Sequence, residues 1–227
     1  MANEIAKVQG NGYLIDIEVS KRVMAELEGI TPTLLKIKIP AGGGLAYEVP
    51  GDDPESPDTA KTFEAVIVKH QRCNVYYRDK YDGQKVPPAC YAADGKRGVD
   101  NETAEVKDCA TCPLNQYGSG EGGIGKACQN KRVLYLLREG ELLPVVLVLP
   151  STSLKGFDEY ITRLVSRGIT SADVVTKFGL KKATSKTGIA YSEATFAAVR
   201  MLNENERKTI EWVRKSIDNT SIEEISE

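Results

Sequence analysis

KTFEAVIVKHQRCNVYYR, Lys61–Arg78, is long, β-branched and aromatic, and holds neither proline nor glycine. Such residues fit a pleated, half-buried surface, so the stretch predicts one long strand with room for a bulge. Period-two alternation places Arg72, Tyr76 and Arg78 on one face and Cys73, Val75 and Tyr77 on the other. The first set suits a ligand face and the second a core face, provided no bulge shifts the register.

Downstream of that strand, from Asp79 to Asn130, regular periodicity disappears. The stretch is too long for a plain loop in a compact domain, so something other than an apolar core must organise it. KRVLYLLREGELLPVVLVLP, Lys131–Pro150, regains strand character around a turn at Glu139-Gly140-Glu141. STSLKGFDEYITRLVSRG follows, with Ser151 or Ser153 to cap a helix, Leu154, Phe157, Ile161 and Leu164 at helical spacing, and Gly168 to stop it. A hairpin closed at Lys186-Thr187-Gly188 and a helix opened by Asn203 complete the order. Upstream, VSKRVMAELEGI predicts a short amphipathic helix ending near Gly29, and Thr33–Val49 two short strands around Gly42-Gly43-Gly44. An acidic, proline-broken loop spans Val49–Lys61.

Strands, a long insertion, strand, helix and two strands fit an α+β, mainly β fold. In its finer form this is an OB-like Greek-key barrel with the insertion between strands 2 and 3 and a C-terminal helix. The expected parts are an N-terminal segment 1–31, a barrel from 32–86 and 131–201, an insertion 87–130, a helix 202–217 and an acidic tail 218–227. A generic α+β sandwich would give the same order.

CATCPLNQYGSGEGGIGKAC, Cys109–Cys128, lies inside the insertion. Gly118-Ser-Gly120-Glu-Gly-Gly123 has the spacing of a dinucleotide loop. Gly120 to Lys126 has that of a phosphate loop until Ala127 replaces the magnesium-binding hydroxyl. Both loops need an apolar strand just before the glycines, and CATCPLNQYGS is none. A disulfide framework conflicts with the N-terminus, which lacks the build of a signal peptide and so predicts an intracellular, reducing setting. Metal remains. Cys90, Cys109, Cys112 and Cys128, spaced C-x18-C-x2-C-x15-C, supply four thiolates for a closed structural zinc site. Lys96, Arg97, Lys107 and Lys126 would offset its charge. His70 and Cys73 form an H-x2-C pair, either of which is an alternative ligand, and an iron–sulfur cluster also takes four cysteines. The zinc-deaminase pattern is missing, since Ala92 and Asp108 stand where its signature differs.

The chain has 227 residues, 41% hydrophobic and 27% charged, with a net charge of −2. No apolar run reaches the roughly 18 residues of a membrane span. Charge is uneven: 5 basic against 10 acidic side chains over residues 1–60, 25 against 18 over 61–215, and none against 4 over 216–227. A basic groove lined with aromatics holds single-stranded nucleic acid. The candidates are Lys69, Arg72, Tyr76, Arg78, Lys80 and Tyr81 of the long strand, Lys177 and Lys181 of a later one, and Tyr91, Lys126, Lys131 and Arg132 in or beside the insertion. On the later strand Phe178 and Leu180 turn inward. Trp212 reads as an anchor for the last helix.

The four cysteines within an OB-like order, the acidic end Ile222–Glu227, and the phrases IPAGGGLAYEV, KVPPACYAADGK and GKACQNKRVLYLL resemble the zinc-containing OB-fold single-stranded-DNA-binding proteins of phages and mobile elements. The resemblance covers about residues 32–201. It implies a non-enzymatic protein of replication or recombination in the cytoplasm of a bacterial host. Such a protein binds single-stranded DNA, carries structural Zn2+ and meets replication or recombination proteins through its tail. Here no histidine stands among the expected ligands, and the tail lacks a dense aspartate run and a terminal phenylalanine. The alternative is a zinc-containing protein–protein adaptor or regulator of a mobile element, such as a recombination-directionality factor. An enzyme is the third reading, opposed by the single histidine and the absence of a nucleophile motif.

Overall fold

The computed structural model describes residues 12–14, 16–51, 53, 55–79, 86–185 and 188–219. Helix α1, Ile17–Met24, begins ahead of the expected Val19 because the Asp16 carboxylate accepts from the N–H groups of Glu18 (2.9 Å) and Val19 (3.1 Å). Strands β1 (Lys36–Ile37), β2 (Tyr47–Val49), β3 (Asp58–Ala60) and β4 (Thr62–Tyr76) follow. Next come β5 (Cys90–Ala92), β6 (Arg97–Asp100), β7 (Val106–Asp108), β8 (Gln129–Leu137) and β9 (Val145–Leu149). Helix α2 (Ser151–Val165), strands β10 (Val174–Thr184) and β11 (Ala190–Met201) and helix α3 (Glu204–Asn219) complete the order. No helix of the described residues is long and apolar enough to cross a membrane.

The described residues form two compact units, one within 1–69, 134–148 and 155–223, the other within 70–133 and 149–154. In the first, β9 pairs in parallel with β1 and is followed in hydrogen-bonded order by β8 and β4. The first half of β4 pairs antiparallel with β10 (Ala65 opposite Thr176), and β10 pairs along its length with β11. Val66, Ile67 and Val68 are consecutively buried, so this half of β4 is covered on both faces instead of alternating. The expected acidic loop contains β3, which pairs antiparallel with β2 once the prolines have passed. No described pairing closes these strands into a barrel; the fold is mixed α+β and mostly sheet.

Helix α2 buries Phe157, Tyr160 and Leu164. The expected Ile161 is only half-buried and Tyr160 takes its place, because a Thr176 hydroxyl 2.7 Å away satisfies the phenol. An aromatic chain fills the same core. Tyr47 meets Phe63 edge-on at 5.0 Å, Phe63 stacks on Phe178 at 4.7 Å, and Phe196 meets Phe178 at 5.7 Å and Phe157 at 5.3 Å.

In the second unit the end of β4 continues into an antiparallel ribbon of β5, β6 and β7, with Val75 opposite Tyr91, Cys90 opposite Asp100 and Gly98 opposite Lys107. The stretch without periodicity therefore holds three strands. Each has only three or four residues, too few for an alternating pattern to register. Of the expected hairpin turn, Lys186 and Thr187 lie outside the described residues, as does nearly all of the acidic tail.

Candidate metal centre

Each of the four predicted thiols is placed by a short local device. Cys90 opens β5 opposite Asp100 of β6. Cys109 follows β7 and donates its N–H to Lys96 O at 2.8 Å. Pro113 starts a single 3-10 turn after Cys112, and the carbonyls of the knuckle are captured by side chains. Asn115 Nδ2 donates to Cys109 O at 2.7 Å, and Gln116 Nε2 donates to Ala110 O at 3.0 Å. The glycine loop then returns the chain so that Cys128 N–H reaches Leu114 O at 2.8 Å.

The result is one cavity of about 240 Å³ lined by Cys90, Cys109, Cys112 and Cys128 together with Asn74, Asn115, Asp100 and Lys107. All four thiols are free of disulfides. Gly98 faces them: a Cβ there would stand 2.7 Å from Cys90 Sγ and 3.7 Å from Cys109 Sγ, so only glycine leaves room for the sulfurs. As they stand, no three His, Cys, Asp or Glu side chains among the described residues are gathered closely enough to hold a metal ion. The donor set nevertheless has the chemistry of a thiolate metal site. Burial, and then repulsion from Cys109 and Cys112, pushes the Cys128 thiol up to about 11 and raises Cys90 in the same way. Burial first, and neighbouring thiols second, therefore favour the neutral form of Cys90 and Cys128. A divalent cation is the partner that lets such a set ionise.

A polar layer supports the cavity. Asn130 Nδ2 donates to Asn74 Oδ1 (2.7 Å) and Asn115 Oδ1 (2.9 Å), while Lys126 Nζ reaches Asn115 Oδ1 (3.3 Å) and Asn130 Oδ1 (3.1 Å). Asp100 accepts from Lys107 Nζ at 2.9 Å and from the N–H groups of Glu102 and Thr103, which hold its carboxyl well below the usual range. His70 and Cys73 do not line the cavity. Arg132 can only donate, so His70 Nδ1 accepts from it, 3.2 Å away, and Cys73 is buried in β4.

The predicted nucleic-acid residues are divided between the two units. Lys69, Lys177 and Lys181 belong to the first unit; Arg72, Tyr76, Arg78, Tyr91, Lys126, Lys131 and Arg132 belong to the second. Lys80 and Tyr81 lie outside the described residues. Several cations are already engaged: Lys69 with Asp218 (2.6 Å), Arg78 with Glu102 (2.8 Å) and Lys181 with Glu193 (3.0 Å). Arg72 and Lys177 are exposed and carry no ion pair among the described residues. Tyr76 lines the cysteine cavity, and Tyr91 is half-buried. Tyr117, by contrast, is 86% exposed. No family model, curated protein or solved structure matches the chain.

Proposed function

We propose that the protein is a non-enzymatic single-stranded-DNA-binding protein of the phage or mobile-element type, braced by structural zinc. One observation carries this reading: Cys90, Cys109, Cys112 and Cys128 line a single cavity opposite a glycine that leaves them space. Bound there, zinc would neutralise the thiolates and couple its binding free energy to the folding of a unit with short strands and little core. The four cysteines would hold it, with Asn115 fixing the knuckle and Lys107 and Lys126 balancing charge.

The order of strand, insertion, strand, helix and hairpin along the chain supports the use of the first unit as an OB-like scaffold. The exposed cations Lys177 on β10 and Arg72 on β4 would neutralise phosphates. Fluorescence anisotropy with a labelled oligo-dT over a salt series tests this function. Binding that weakens steeply with salt is expected, and no binding at low salt would reject it. The engagement of Lys69, Arg78 and Lys181 by carboxylates favours the second reading, a protein–protein adaptor. Such a protein captures a protein partner while leaving the oligonucleotide free.

A further inference from the structure

We infer that Tyr117, at the base of the glycine loop just ahead of Gly118, is the aromatic platform on which a base of single-stranded DNA stacks, with Lys126 meeting the adjoining phosphate. The inference rests on the function proposed above and assigns a residue to it that the strand pattern does not point to. Among the aromatic side chains left in water, Tyr117 stands out at 86% exposure. Its loop is held in shape. Gly118 N–H donates to Gly125 O at 2.7 Å, and Ser119 Oγ donates to Leu114 O at 2.8 Å and accepts from Ala127 N–H at 3.1 Å. The chain reverses through Gly118, Gly122, Gly123 and Gly125, all at φ between 64° and 92°, where other residues are strained.

The ring is thus presented by a built loop. Lys126 Nζ stands 5.4 Å from its centroid and is itself positioned by Asn115 and Asn130. Ile124, 72% exposed on the same loop, adds apolar surface. An aromatic face beside an ammonium matches the two halves of a nucleotide, and stacking accepts any base. A strand-borne alternative is weaker, because Tyr76 faces the cysteine cavity.

The test compares the full-length zinc-loaded wild type with Tyr117→Ala and Tyr117→Phe by oligo-dT anisotropy. A parallel photocrosslinking of the wild type uses oligo-dT carrying 5-iododeoxyuridine, mapped by mass spectrometry. The expected results are about tenfold weaker binding for Tyr117→Ala, near-wild-type binding for Tyr117→Phe, and a crosslink at Tyr117. If the wild type binds but Tyr117→Ala binds equally well, or the crosslinks fall elsewhere, the inference is overturned and the proposed function stands. If the wild type does not bind at all, both fall together.

Discussion

Gly98 shows how much a single missing atom carries. A methyl group there meets Cys90 Sγ at 2.7 Å, a distance that forces the thiol to move. Gly98→Ala is therefore predicted to weaken zinc binding by about tenfold, the scale on which the supports of metal ligands act. Competition with a chromophoric chelator measures it, and an unchanged affinity would detach Gly98 from the site. Tyr160 is the corresponding residue of the first unit. Its phenol and the Thr176 hydroxyl satisfy each other at 2.7 Å while both residues are buried. Tyr160→Phe leaves Thr176 without that partner and is predicted to cost about 1–2 kcal/mol in urea unfolding.

Two elements depend on how their charges are paired. Helix α3 opens with a reciprocal cap: Asn203 Oδ1 accepts from Glu206 N–H (3.0 Å) and Glu206 Oε2 accepts from Asn203 N–H (2.9 Å). Arg200 adds two contacts to the same carboxylate, and Tyr13 N–H adds another. Arg200 foremost, then these N–H groups, outweigh burial and draw Glu206 from 4.5 down to about 2. A depressed carboxyl stabilises the fold above its unfolded value, and that stability is lost as pH falls. Acid unfolding followed by circular dichroism should accordingly show a limb between about pH 4.5 and pH 2 that Glu206→Gln flattens. The β10–β11 hairpin poses the parallel question for DNA. Lys177 is exposed and has no ion pair among the described residues, whereas Lys181 is held by Glu193 at 3.0 Å. Lys177→Gln is predicted to lower the slope of log affinity against log salt by about 0.7, and Lys181→Gln by less. Equal slopes for the two variants would mean the existing ion pair does not matter.

Across the molecule, what could be read from the chain divides by the length of the element and the range of the contact. The strand Thr62–Tyr76, the β10–β11 hairpin and the helices α2 and α3 were legible, because each runs long enough for its period to show. Strands β5 to β7 were not, since three or four residues carry no usable period. Tyr160 was missed because three- and four-residue steps from Phe157 reach Tyr160 and Ile161 alike, and only the distant Thr176 decides between them. The C-x2-C knuckle was visible as a motif, but the approach of Cys90 and Cys128 depends on ribbon pairing and loop return. The neutralised cations were invisible for the same reason: Lys69 and Asp218 stand 149 residues apart. The central claim concerns the four thiols that share the cavity in the second unit. It is tested most directly by the metal content of the purified full chain, read by inductively coupled plasma mass spectrometry beside a count of thiols reactive before and after chelation. The account predicts one zinc per chain, with four cysteines shielded until the metal is removed. A chain that carries no metal, and whose cysteines outside β4 react at once, would contradict it.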